Sequence, residues 1–419
     1  MGSAGGDYPL TSSPAPTLYI SYDGVLEALG ESQVVAYLER LAINYQITLI
    51  SFEKPRDWRD GARAARMRAR LTSAGIRWKA LKYHKSPPVV STALDILRGI
   101  WSALRWQSQT RGQIVHVRGY VPAMIGLALK SLRRTKLLFD MRGFWADEKA
   151  EAGHWNRRSF VYKVAKRCER AFFESANAIV SLTEAGVKVF PDLGYRVPPG
   201  IPIKVIPTCA DLKRFAAGPR RPDLLARLGL GGHLVIGCVG TMSNWYLRQP
   251  MLDYLAFLLA RMPKLKALIV TAEDLDRLGA DARRAGIAPE RLVLMRADFD
   301  EMPDVMRLID VGMFFIKPVF SKKGSAATKL AEFLASGVPV VINDGVGDSG
   351  HIVKEYSTGV VLPSTTSNDF DASFDQVRAL FDDPEVRLRC RAAAEALFDV
   401  ERGAASYRAI YQDVMRATS

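Results

Sequence analysis

The chain is poor in the residues that build disulfide frameworks and clustered metal sites, with four cysteines and five histidines among 419 residues. Cys168, Cys209, Cys238 and Cys390 lie far apart, so reduced, buried thiols are expected. Long apolar runs are missing as well. None approaches the ~20 residues a membrane-spanning helix requires, and the strongest, Met313–Ile316, is closed by Lys317-Pro318. The first sixteen residues have neither the basic start nor the apolar stretch of a secretion signal, so they read as a flexible tail on a cytoplasmic chain. Short-period repeats, heptads and low-complexity tracts are also lacking. What remains is 48% hydrophobic and 24% charged, ample for buried cores in two domains.

Acidic residues are scarce in one half only. Residues 1–215 hold 33 Lys and Arg against 18 Asp and Glu, whereas residues 216–419 hold 25 against 26, so the net charge of +14 belongs to the first half. Arg63, Arg66, Arg68, Arg70, Arg77, Lys79, Lys82 and Lys85 form its densest run. Such a face suits an anionic membrane surface or a phosphate-bearing acceptor, or it is simply a solvated helix face. The neutral second half and the lack of a nucleic-acid-binding signature argue against nucleic acid.

From Thr17 onward, short β-type runs alternate with amphipathic stretches, which predicts parallel sheets flanked by helices. Strands are expected at 17–22, 47–52, 76–81, 114–117, 136–140, 178–182 and 204–206, and again at 233–241, 267–270, 292–294, 311–316, 339–342 and 359–362. The fold class is therefore α/β, two Rossmann-like doubly wound domains facing a cleft. A Gly, Pro and Arg stretch separates the two series. The expected boundaries are a tail at 1–16, an acceptor domain at 17–212, a linker at 213–232, a donor domain at 233–398 and a C-terminal helix at 399–419 that packs back towards the first domain.

The segment from Phe314 to Gly350 is the most informative. A helix opening near Ser325 would aim free amides and a positive dipole end at an anion, with Ser325 and Thr328 as hydroxyl donors and Lys317, Lys322, Lys323 and Lys329 close by. Glu332, one turn beyond Thr328, suits the paired hydroxyls of a ribose, or it is a surface carboxylate paired with Lys329. A nucleoside diphosphate fits the first reading. In "DMRGFWADE", Asp140, Arg142, Asp147 and Glu148 crowd a loop at a strand's carboxyl end, either facing a ligand or holding the loop through an Arg–Asp pair. In "LGESQ", Gly30 and Gln33 open a helix expected from about Ser32, and Arg118 ends the strand "HVR". The Asp-x-Asp strings at 274/276, 298/300 and 369/371 read as solvated caps, so no essential divalent ion is expected.

"ATKLAEFLASGVPVV" resembles the nucleotide-sugar-binding segment of retaining GT-B glycosyltransferases of the bacterial group-1 (family 4-like) type, in its T-K-L-x-E variant. "LYISYDGVLEALGESQ", "FDMRGFWADE", "AIVSLTEAG" with "IKVIPTCADLKRF", and "IGCVGTMSNWY" resemble further segments of that family in the same order. The resemblance implies sugar transfer with retention from a nucleoside-diphosphate sugar to a lipid-linked, polysaccharide or other glycan acceptor. It implies no cofactor, and it allows peripheral contact with the inner face of the cell membrane. Arg142, Asp147, Glu148 and Lys329 are then the catalytic candidates. Thr241, Ser243, Lys317, Gly324, Ser325, Thr328, Lys329, Leu330 and Glu332 would bind the donor, with Arg248 as a further cation. Gly30, Gln33 and Arg118 fall on the acceptor side. Many members carry a second glutamate eight residues before Glu332, where this chain has Gly324. The readings left beside transfer are a sugar-nucleotide epimerase of the same architecture and a non-catalytic polyanion-binding protein.

Overall fold

The computed structural model describes residues 15–416. Most of the expected tail lies outside the described residues, and Pro16 already belongs to the first strand. Thirteen parallel strands form two sheets. In the first, β1 (Pro16–Ser21), β2 (Gln46–Glu53), β3 (Arg77–Lys82), β4 (Ile114–Arg118), β5 (Lys136–Asp140), β6 (Ala178–Ser181) and β7 (Ile203–Val205) take the order β3-β2-β1-β4-β5-β6-β7. In the second, β8 (Leu234–Val239), β9 (Leu265–Val270), β10 (Leu292–Met295), β11 (Val311–Phe314), β12 (Val340–Asn343) and β13 (Gly359–Leu362) take the order β10-β9-β8-β11-β12-β13. Each central strand is an apolar run because helices cover both faces: Leu18, Ile20, Leu49, Ile50, Val235, Ile236, Val340 and Val341 are all fully buried.

The described chain divides into two compact units, one of residues 15–139, 175–178 and 407–416, the other of residues 140–174 and 179–406. The loop and helices that follow β5 thus group with the second sheet's unit. The stretch 213–232 carries the helix Pro222–Arg227 and is bound into that unit, where Arg220 donates to Asp310. The C-terminal residues 386–416 form two helices, Val386–Leu397 and Val400–Arg416. The break at Phe398 and Asp399 arises because Ala210 pairs there, donating to the Phe398 carbonyl at 2.8 Å and accepting from the Val400 amide at 3.1 Å. Within the first unit, Tyr411 Oη lies 2.7 Å from His116 Nδ1, and Tyr407 packs edge-on against Tyr37. His116 is accordingly a core residue.

Two helix starts differ from the sequence expectation. Helical backbone runs from Ala28 through Leu41 rather than from Ser32, with a π-type stretch at Glu31–Val35. The helix expected from Ser325 opens at Thr328, because a 3₁₀ turn at Phe320–Gly324 leads into extended backbone at Ser325 and Ala327. That turn is pinned from outside, by the Ser321 amide donating to Glu151 at 3.1 Å and by Thr183 Oγ1 donating to the Lys323 carbonyl at 2.6 Å.

Candidate functional site

In the second sheet β8 lies beside β11, and the chain leaves them in opposite directions, towards β9 and towards β12. This is the switch point at which open parallel sheets bind ligands outside their carboxyl ends. A cavity of about 270 Å³ sits there, lined by Trp245, Tyr246 and Ile316 and by the run Ser325 to Lys329, with Lys322 and Val346. The loop after β8 reaches it because Lys317 donates its amide to the Trp245 carbonyl at 2.9 Å and Leu247 donates to Phe315 at 2.9 Å.

One wall is the amino end of the helix Thr328–Ala335, whose N-cap Ala327 offers no side-chain cap to the first amides. Free amides of that kind, with the positive end of the helix dipole, favour an anion. The hydroxyls of Ser325 and Thr328 also engage no described residue. Lys329 Nζ donates to the Thr241 carbonyl at 2.9 Å and lies 3.5 Å from the centroid of the Tyr246 ring. Beside it stands Gly240, whose φ of +83 favours glycine and on which a Cβ would come 3.0 Å from Lys329 Cε. Burial lowers the Lys329 ammonium to about 7 against the opposing pull of Glu332 and Glu273. Three residues along the same helix, half-buried Glu332 accepts no hydrogen bond from any described residue, and burial raises it to about 7 despite Arg214 and Lys329 nearby. Leu330 is buried and is not among the residues that line the cavity.

The loop after β8 is filled from within the chain. Glu273 accepts from Thr241 Oγ1, from Ser243 Oγ at 2.7 Å and from the amides of Met242 and Ser243 at 3.0 Å each. Burial opposes its ionisation, but those hydrogen bonds together with Arg248 hold it down at about 2. Arg248 pairs with Glu273 and, at 3.0 Å, with Asp281. The two hydroxyls and the arginine selected from sequence therefore bind a carboxylate of their own chain. Lys317 is exposed and outside the cavity lining.

The loop 140–151 packs against the 3₁₀ turn. The Phe144 and Phe320 rings pack tilted at 36° with centroids 5.1 Å apart, and Glu148 pairs at 3.3 Å with Lys322, whose ammonium sits 3.8 Å from the Trp245 centroid. Arg142 reaches Asp140 at 3.4 Å, and Asp147 is buried, accepting from Tyr162 at 2.7 Å and Lys166 at 3.0 Å. A Cβ on Gly324 would stand 3.0 Å from the Phe144 ring and 3.2 Å from Gly143 Cα. Restoring a carboxylate by Gly324→Glu is therefore expected to displace Phe144 at a cost of about 1–3 kcal/mol, read as a lower melting temperature with no gain in nucleotide binding.

In the first unit, Arg118 is buried with its Nε 3.8 Å from Asp23, and Gln33 is buried. A Cβ on Gly30 would meet the Gly24 carbonyl at 2.0 Å, so its bare Cα seats the chain's own loop. Glu53 fastens that loop, accepting from the Val25 amide at 3.0 Å and the Leu26 amide at 3.3 Å. Sequence reasoning missed Glu273, although a carboxylate just past the end of β9, next to the β8 loop, was a signal. It also passed over the aromatic pair Trp245 and Tyr246, which adjoin that loop in "TMSNWY".

Residues 31–209 match the family profile of the glycosyl transferase 4-like domain. No curated protein matches the sequence. The fold is that of GT-B glycosyltransferases. HepE of Anabaena, solved with UDP and glucose, superposes with a TM-score of 0.70 at 16% identity, covering 95% of this chain and 99% of that one. Sucrose-phosphate synthase from Thermosynechococcus elongatus gives 0.71 at 15% identity over 96% and 100%. WaaG, a glycosyltransferase involved in lipopolysaccharide biosynthesis, gives 0.64 at 14% identity over 93% and 99%. Among the described residues no helix is long and apolar enough to cross a membrane.

Proposed function

We propose that the chain is a glycosyltransferase that moves a sugar from a nucleoside diphosphate to a glycan or lipid-linked acceptor with retention at the anomeric carbon. The observation that carries the reading is Glu332, a half-buried carboxylate without a hydrogen-bond partner, one turn into a helix whose uncapped amino end faces a cavity. Folding alone gives no reason to bury it unpaired. A ribose supplies two hydroxyls to such a carboxylate. The first-turn amides, Lys329 and the hydroxyls of Ser325 and Thr328 suit the diphosphate that follows, and Trp245 and Tyr246 offer aromatic faces beside it.

In the proposed reaction the bond from the sugar's anomeric carbon to the diphosphate oxygen breaks while the acceptor oxygen bonds to that carbon on the same face. The acceptor proton passes to the departing diphosphate oxygen, so no protein base is needed. Lys329 and the helix end stabilise the charge that grows on the leaving group. In this reading they supply the neutralisation that a divalent ion would otherwise provide. With Phe144 packed on Gly324, the sugar meets backbone at the position where related chains place a carboxylate. Asp147, held by Tyr162 and Lys166, supports the 140–174 segment rather than touching substrate, while Glu148 positions Lys322. The basic first unit would bring the enzyme to an acceptor at an anionic membrane.

Thermal melting with UDP, GDP and ADP tests the reading. Stabilisation by one of them is expected, about 2.7 kcal/mol at a hundredfold excess over Kd. Stabilisation by polyphosphate or heparin alone would leave a polyanion-binding protein instead.

A further inference from the structure

The helix Pro88–Thr110 turns an apolar row outwards. Val90, Leu94, Leu97 and Trp101 recur at i, i+4, i+7 and i+11, one stripe of an α-helix. Val90, Leu97 and Trp101 are 66%, 64% and 62% exposed. With Val89 and Leu94, this single helix carries five of the thirteen large apolar side chains that are exposed among the described residues. Its opposite side does the packing, with Asp95, Ser102, Ala103 and Trp106 buried. Isolated exposed apolar residues are ordinary on a protein surface, whereas a contiguous row of them marks an interaction site.

The charges around the row select its partner. Arg98 and Arg105 are exposed along one flank, and Arg105 lies 5.8 Å from the Trp101 ring centroid. Lys79, on the edge strand β3, lies 5.4 Å from that ring, and Arg77, Lys82 and Lys85 are exposed on the same strand and the loop beyond it. The helix's one acidic residue, Asp95, is withdrawn into the protein, where Tyr22 Oη at 2.9 Å and His84 Nδ1 at 2.6 Å engage it. The ridge is thus apolar at its centre, cationic at its edge and without an exposed carboxylate. A second copy of the chain would set these cations against their like. An anionic bilayer satisfies both components, taking the apolar side chains into the acyl boundary, Trp101 at the headgroup level and the cations against lipid phosphates.

We infer that the helix Pro88–Thr110 is a membrane-docking element that lays Val90, Leu94, Leu97 and Trp101 into the interface of an anionic bilayer, with Arg98, Arg105 and Lys79 on the phosphates. This deepens the proposal of a membrane-borne acceptor and is independent of the nucleotide site. The arginine-rich helix Gly61–Ser73 is the poorer candidate. Arg70 is tied to Glu31 and Glu39 at 2.6 Å each, and its apolar residues Met67 and Leu71 are buried.

Flotation of the full chain with vesicles tests the assignment, comparing wild type, the double variant Leu97→Glu/Trp101→Glu and the control Arg66→Glu. Wild type is expected to float with phosphatidylglycerol-containing vesicles and to stay behind with pure phosphatidylcholine. The double variant should lose at least about tenfold in partitioning, and the control less than about twofold. Both variants should keep the wild-type melting temperature and its rise with UDP, GDP or ADP, since the altered side chains are exposed. The inference is overturned if wild type ignores anionic vesicles, if the double variant floats like wild type, or if sedimentation shows a dimer that the double variant splits. Nucleotide stabilisation is read on the same samples, so its absence beside normal flotation counts against the donor site and not against the docking helix.

Discussion

Replacing Glu332 with alanine is expected to abolish measurable sugar transfer and to weaken nucleoside diphosphate binding by about 10- to 150-fold, with the melting temperature unchanged or slightly raised. The binding loss follows from the ~1.5–3 kcal/mol that a hydrogen bond to a charged group contributes. The thermal result follows from the carboxylate's surroundings. No described donor is orphaned when it goes, because none reaches it, and burial has already pushed its ionisation up to about 7. A carboxylate held for the fold behaves in the opposite way, since removing one member of a buried pair leaves the other uncompensated. Glu332→Gln keeps one acceptor oxygen and should fall between wild type and alanine. Titration calorimetry with UDP, GDP and ADP, beside a melting curve for each variant, separates the outcomes. A variant that melts well below wild type, or one that binds nucleotide equally well, would place Glu332 in the architecture and remove the assignment.

The same residues show how far the sequence carries. Strands such as Leu234–Val239 and Val340–Asn343 are legible because parallel strands buried on both faces leave unbroken apolar runs. The switch-point loop between β11 and the helix Thr328–Ala335 is legible because small and basic residues interrupt that pattern. Gly324 is visible as a departure from the resembled family, but its cause is not, since Phe144 stands 180 positions earlier and meets it only in the folded chain. Thr241 and Ser243 look like donors for a ligand until Glu273 fills their loop from the neighbouring strand. The helix Pro88–Thr110 fails for a different reason. Ile96, Ile100 and Ala103 are as apolar as Val90, Leu94 and Leu97, so its periodicity does not tell the packed side from the exposed one. Charge composition points to the first half and to its densest run from Arg63 to Lys85, and only the exposure of individual side chains singles out this helix.

Nucleoside diphosphate affinity is expected to peak near neutral pH and to decline on both sides, with the alkaline limb belonging to Lys329. Burial brings the ammonium down to about 7, although the Thr241 carbonyl and the Tyr246 ring both favour its charged form, so in the free protein much of it is neutral above that pH. A bound diphosphate restores the charge, and binding above pH 7 therefore takes up a proton. Affinity should fall by up to about tenfold per pH unit until the pKa of the complex is reached. The acid limb has the other sign. Glu332 is likewise raised to about 7, and protonating it removes the charged acceptor that a ribose hydroxyl prefers. The two groups lie one turn apart, and the competent form is the ammonium together with the carboxylate, which is best populated near neutral pH. Lys329→Met should lower affinity at pH 7, abolish the alkaline limb and keep the acid one. An alkaline decline that survives in Lys329→Met, measured by calorimetry in buffers of different ionisation enthalpy, would assign the proton to the ligand or to another residue and take Lys329 out of the diphosphate seat.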